Sequence, residues 1–399
     1  MLSIRSRLAK NGPHEIVHDL LRLRRWAVGA LSAQHNPETA EIEGISFETW
    51  RLFLSLERCA AVLLDCVTRD GATSRVDATG LDALRKVAAT EMQSSMRARV
   101  DGREMAVIAE RLSFPVIVLK GGVGAITGTG PTLPVGDIDI LVPLEHVADM
   151  VQVLTSAGFG EPTLDLDHHH ALAPADERLR IEVHWTSHDD GSPLDAAVWT
   201  RIRDLESTTP LKQLGERDNL VSLVEHAIDT HRERSPSLRD TLLIGNAAVR
   251  CTDSELTEAR KDLAYNDSMK ALLEFAIQVH LGTPKADPFL IGSAAFYSAV
   301  VLADELPRPL SSQGALAFIT ALDVARVPRK NTLKRTAKWR GTGMQGVGGV
   351  TRRFPQIGKL FVAPLRLTYY SLVAAVVIPV LRRTRRKALS SLETPRSPR

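Results

Sequence analysis

Cysteine is scarce in this chain of 399 residues: there are three, at positions 59, 66 and 251. Their spacing offers neither a disulfide framework nor a metal-finger pattern, so a reducing compartment is expected. Cys59 and Cys66, in a helical stretch, are expected to share its buried face. The opening residues Met1-Leu2-Ser3-Ile4-Arg5 lack the apolar centre of a secretory signal, which favours a cytoplasmic location. Aromatic residues are 5% of the chain. Apart from Trp339 and Phe354, its basic segments lack the interleaved rings on which single-stranded nucleic acid stacks. No P-loop and no internal repeat is present.

Acid is missing from the C-terminal part. Residues 326–399 hold 18 of the 50 Lys and Arg but only one of the 47 Asp and Glu, Glu393, for a net charge of +17. Residues 1–325 keep 32 basic against 46 acidic residues, a net of −14, so the overall +3 hides a sharp split. Such asymmetry points to a polyanionic partner for the tail. Within it, residues 341–349 form a Gly-rich linker. Residues 367–381 form an uncharged run of 15, followed at once by Arg382-Arg383-Thr384-Arg385-Arg386-Lys387. As a helix, fifteen residues reach about 22 Å, short of the ~30 Å hydrocarbon core. Three readings follow: a helix packed on the protein, an interfacial helix on a membrane, or a true span extended back to Leu360 with Arg366 snorkelling. Basic residues beside an apolar segment favour peripheral contact of residues 360–387 with anionic lipid.

An apolar share of 44% and a charged share of 24% are those of a globular protein, and the length allows two or three domains. Apolar residues at helical spacing run through 15–34, 47–67 and 81–112, and again through 214–230, 239–250 and 254–281. Between these helical blocks the period changes to two.

Gly136-Asp137-Ile138-Asp139-Ile140-Leu141-Val142 is the clearest case. On a strand, alternate residues share a face, so Asp137 and Asp139 project together while Ile138 and Ile140 enter the core. Like charges this close are costly without a cation between them, and paired carboxylates suit Mg²⁺. An exposed strand edge or a turn reads the same pair equally well. Upstream, the apolar run Pro115-Val116-Ile117-Val118-Leu119 leads into Lys120-Gly121-Gly122. Such a turn lets backbone approach phosphate oxygens, and Lys120 adds a positive charge. Downstream, Arg180-Ile181-Glu182-Val183-His184-Trp185 alternates again, with Glu182 and His184 on one face. His168-His169-His170 raises zinc as an alternative. Neighbouring strand residues alternate faces, however, so the three histidines cannot easily share one ion.

Taken together, these pieces resemble a bacterial nucleotidyltransferase family of the polymerase-beta-like superfamily. The resemblance covers roughly residues 80–245. It rests on Leu119-Lys120-Gly121, on Asp137-Ile138-Asp139-Ile140-Leu141-Val142, on the histidines at 168–170, on Ile181-Glu182-Val183-His184-Trp185, and on Glu225-His226, His231 and Arg239-Asp240. It implies an α+β fold: a small mixed sheet with flanking helices, between mainly helical N- and C-terminal regions. The expected divisions are a helical region at 1–79, the core at 80–213, a helical domain at 214–325 and the basic tail at 326–399.

The implied activity is transfer of a nucleoside monophosphate from an NTP to an acceptor hydroxyl on a small molecule, protein or RNA, with release of pyrophosphate. Asp137, Asp139 and Glu182 would hold Mg²⁺ or Mn²⁺, and Lys120, Gly121 and Gly122 would bind the nucleotide. His169 or His170 would face the site, and His184 would contact a carboxylate or a phosphate. The family pattern carries an Arg shortly before the Asp pair, where this chain has Leu133. That departure motivates a second expectation: a degenerate protein that keeps the fold, binds nucleotide without transfer, and docks to a membrane or partner through its basic tail.

Overall fold

A computed structural model describes residues 12–32, 42–69, 76–162, 164–165, 169–186, 196–205, 209–230, 235–284, 286–303, 379–380 and 382–392. The basic stretch 326–340, the linker 341–349, His168 and all of the apolar run 367–381 except Pro379 and Val380 lie outside the described residues. Two compact units divide the chain: Trp26–Thr230 with Pro236–Pro288, and Met1–Arg25 with His231–Ser235 and Phe289–Arg399. The sheet and every side chain of the candidate active site belong to the first of these.

The fold is α+β, as the resemblance implied. The helices that precede the sheet are α1 (Pro13–Leu31), α2 (Phe47–Glu57), α3 (Ala60–Arg69) and α4 (Ala78–Ala109). Next come β1 (Ile117–Val118), α5 (Gly121–Thr127), β2 (Asp137–Leu141), α6 (Val147–Ser156), β3 (Leu164–Asp165), β4 (His169–Leu172) and β5 (Arg180–His184). The core closes with α7 (Ala196–Thr200), β6 (Arg203–Asp204) and β7 (Lys212–Gln213). Then follow α8 (Glu216–Glu225), a π turn at His226–Thr230, α9 (Leu238–Ala248), α10 (Asp253–Asp262), α11 (Asp267–His280) and α12 (Leu290–Ala303).

The seven strands form one mixed sheet in the order β3-β4-β5-β2-β1-β7-β6. β2 runs parallel to β5 and antiparallel to β1; β4 runs antiparallel to β5. One face is apolar: Val118, Ile138, Ile140, Leu172, Ile181 and Val183 pack with Met105 and Ala109 of α4 and Met150 and Leu154 of α6. Ile138 and Ile140 are fully buried there, as alternation required.

Two expected helices are broken, each for a local reason. The stretch read as one helix over 47–67 is divided by Arg58, which adopts a left-handed conformation (φ 54°, ψ 46°) and ends α2. Cys59 therefore lies between helices and is buried, while Cys66 on α3 is half-buried. The stretch 254–281 is divided at Asn266, whose side chain accepts from the Ser268 N–H and starts α11. Asparagine favours that capping position over a helix interior. The expected long helix over 81–112 is present as α4. Gly102 lies inside it where a Cβ would come 2.4 Å from Cγ1 of Ile126, so its missing side chain admits α5.

α4 also sets the sheet in place. Ser94 Oγ accepts from the Val135 N–H at 2.9 Å and donates to the Val135 carbonyl, holding the segment before β2. Asp101 Oδ2 accepts from the Leu179 N–H at 2.7 Å, holding the segment before β5. Both carboxylate-bearing strands are thus anchored by one helix. Among the described residues, no helix is long and apolar enough to cross a membrane.

Candidate active site

Register decides what the second face of the sheet carries. Parallel pairing sets Asp137 beside Arg180, Asp139 beside Glu182 and Leu141 beside His184. Antiparallel pairing sets His169 beside His184. Since alternate residues share a face, Asp137, Asp139, Arg180, Glu182, His184 and His169 converge. The two Asp and Glu182 lie on this one face.

Asp139 is the centre. Its side chain is 9% exposed, and its Oδ1 accepts from Lys120 Nζ at 2.9 Å and lies 2.8 Å from His184 Nε2. Burial alone would raise this carboxyl. Lys120 and His184 outweigh burial and hold it well below its usual value, so Asp139 is ionised. Asp137 is more open, with a third of its side chain exposed, and binds Arg180 at 2.8 Å. Burial and the repulsion of Asp139 and Glu182 push its carboxyl up despite Arg180. Glu182 lies 2.7 Å from the same guanidinium group. Burial raises its carboxyl and Asp139 adds to that, but His184, His169 and Arg180 lower it on balance. Neighbouring charge and burial thus drive three carboxylates of one patch in different directions.

Lys120 precedes this face in an unusual backbone conformation, φ 53° and ψ −134°. Gly121 and Gly122, expected as a loose turn, instead open α5, with the Gly122 N–H bonded to the Leu119 carbonyl at 3.2 Å. A Cβ at Gly121 would lie 2.6 Å from Nη2 of Arg239, so glycine there permits a guanidinium to lie against the backbone. A cleft adjoins these residues, walled by Lys120, Gly121, Leu133, Asn219, Leu243 and Asn246.

His169 and His170 part company. His169 faces the site, with its ring 4.7 Å from that of His184 and its Nε2 3.6 Å from Glu182 Oε2. His170 faces the other way, with its ring 5.0 Å from that of Trp185.

Three arginines join the site beyond the expected residues. Arg180 had a signal, since it stands two residues before Glu182 and shares its face. Arg239 belonged to the family pattern without an assigned role, and Arg58 had no signal. Arg58 Nη2 donates to the Pro134 carbonyl at 3.4 Å and Arg239 Nε donates to the same oxygen at 3.2 Å. Both guanidinium groups reach the loop that leads into the Asp pair from distant parts of the chain, Arg58 at the end of α2 and Arg239 on α9. Leu133 is buried in the wall of the cleft.

A divalent ion fits the donor set: two carboxylates one register step apart on β2 and a third beside them on β5. No curated protein and no solved structure matches the chain. Residues 50–245, which contain every side chain of this constellation, match the model of a family described as "Uncharacterised nucleotidyltransferase", so over this stretch the chain is similar to nucleotidyltransferases.

Proposed function

We propose that this domain transfers a nucleoside monophosphate from an NTP to an acceptor hydroxyl, releasing pyrophosphate. The observation that carries the reading is the pairing of β2 with β5, which sets Asp139 directly beside Glu182 and brings Asp137 to the same face. Asp137, Asp139 and Glu182 would hold Mg²⁺ or Mn²⁺, whose part when bound is to neutralise charge on the transferred phosphoryl group. Lys120 and Gly121 border the cleft, Arg239 lies against Gly121, and the three would bind the triphosphate. His184 orients Asp139 through their 2.8 Å contact. Arg180, bound to both Asp137 and Glu182, fixes the two carboxylates relative to each other.

The test is pyrophosphate release from Mg²⁺-NTP. Asp137→Asn and Asp139→Asn should each lose measurable turnover while retaining the wild-type circular dichroism spectrum. Full release by either folded variant would sink the mechanism.

One observation favours the second reading, nucleotide binding without transfer. Lys120 already sits on Asp139, in a position that competes with an incoming cation. Calorimetry with Mg²⁺-NTP that shows binding, alongside a complete absence of labelled product from small-molecule, protein and RNA acceptors, would decide for it.

The tail extends the reading to a surface. Residues 382–392 are helical and expose Arg382, Arg383, Arg386 and Lys387, with Thr384 and Ala388 buried. We propose that they contact anionic lipid from the cytoplasmic side, each basic residue contributing about 1 kcal/mol. The full chain should sediment with phosphatidylserine vesicles at low salt. Equal sedimentation with phosphatidylcholine alone would remove the electrostatic argument.

A further inference from the structure

Beside the Asp pair lies a group of different chemistry. Nε2 of His169 and Nε2 of His184 stand 3.6 and 3.7 Å from one and the same oxygen, Oε2 of Glu182. Those separations exceed hydrogen-bond length. Ligand atoms of the three residues all lie within 4.8 Å of one another. Nitrogen and oxygen donors about 2.1 Å from a tetrahedral ion are spaced about 3.4 Å apart, close to the two His–Glu separations.

The arrangement is built by the sheet. His169 is the register partner of His184 across β4 and β5, and Glu182 is two residues before His184 on the same face. Both histidines are buried, and the Glu182 side chain is 12% exposed. Side chains held this way lose little freedom when they bind. Two imidazoles with one carboxylate suit borderline transition ions, whereas Mg²⁺ prefers oxygen alone and keeps much of its water.

We propose that His169, Glu182 and His184 form a binding site for a zinc-like divalent transition ion, sharing Glu182 with the carboxylate set of β2. The inference does not rest on nucleotidyl transfer: the three side chains stand together without nucleotide, and the ion would replace the proton that His184 Nε2 shares with Asp139 Oδ1. Asp139, 2.8 Å from His184 Nε2, borders the site and links it to the Asp pair. The domain would then carry a nitrogen-rich ion position next to an all-oxygen one.

The experiment uses the full chain, stripped by a chelator, dialysed and titrated with Co²⁺ in the absence of nucleotide. One Co²⁺ should bind per chain with visible d–d absorption, displaced by Zn²⁺ but not by a large excess of Mg²⁺. His169→Ala and Glu182→Gln should each weaken Co²⁺ binding by roughly tenfold or more, and Asp137→Asn should not. The proposal is overturned if the wild-type chain binds neither Co²⁺ nor Zn²⁺, if Mg²⁺ displaces Co²⁺, or if folded His169→Ala binds as wild type does. The wild-type titration stands alone, so a variant that misfolds does not shield the idea. Loss of Co²⁺ binding with intact Mg²⁺-NTP turnover refutes this site and leaves the transfer reading standing. Intact Co²⁺ binding without turnover does the reverse.

Discussion

On β2, Ile138 and Ile140 point into a packed apolar layer, while Asp137 and Asp139, each one residue away, point into a patch of charge. The same backbone serves both faces. On the apolar face each isoleucine is fully buried and contributes about 1.5–3 kcal/mol through removal of its surface from water. On the charged face burial works against the fold, since it opposes ionisation of all three carboxylates. Lys120, Arg180 and the histidines offset that penalty. The comparison teaches that stability and chemistry are separated here by a single step along a strand, and substitutions on the two faces should therefore separate as well.

The largest effect on stability should come from the apolar face. Ile140→Ala opens a cavity between the sheet and its helices and should cost about 2–5 kcal/mol, read as a lower urea midpoint. Nucleotide affinity of the folded fraction should be unchanged; a parallel loss of affinity would show that the two faces are not separable.

Gly121→Ala should have the converse profile. The added Cβ meets Nη2 of Arg239 at 2.6 Å, the far end of a flexible side chain, so the guanidinium is displaced at little cost to the fold. The KM for NTP should rise about tenfold, near the worth of one charge-assisted hydrogen bond, with the melting temperature almost unmoved. An unchanged KM would remove Arg239 from the phosphate site.

The smallest effect belongs to Asp137→Asn, and its sign depends on pH. Asp137 is raised in the fold above 3.8, so its contribution to stability is present below that value and is lost as pH rises through the folded pKa. Asp139 and Glu182 are lowered from 3.8 and 4.5, so theirs is present above those values and is lost as pH falls. Replacing Asp137 removes the one member of the three that disfavours neutral pH. The variant should be more stable than wild type at neutral pH, by no more than about 1 kcal/mol, and the advantage should vanish in acid, below the ordinary value of 3.8. Equal denaturation midpoints at neutral pH would show that Arg180 already cancels the repulsion.

Much of this was legible in the sequence because a strand has a period of two. Alternation alone put Asp137 with Asp139, Glu182 with His184, and the isoleucines of β2 opposite them. The pairing of β2 with β5 was not legible, because strand neighbours are chosen by long-range packing that no local pattern encodes. Lys120 was read as a phosphate ligand from its place before two glycines; that it rests on Asp139 depends on where β2 lies. The meeting of Arg58 and Arg239 stayed hidden for a similar reason. They reach one carbonyl, Pro134, from sequence separations of 76 and 105 residues. Arg58 does so from a left-handed residue inside what reads as an unbroken helix. His169 and His170 could not be told apart until the register with β5 fixed which of them faces the carboxylates.

Lys120 holds a positive φ that glycine would adopt more easily, a conformation that costs a non-glycine residue of order 1 kcal/mol or more. Glycine, however, would bring no ammonium to Asp139. The counter-ion of the resting carboxylate is therefore part of the polymer: dilution does not remove it, and its local concentration is set by a backbone torsion and not by the surrounding solution.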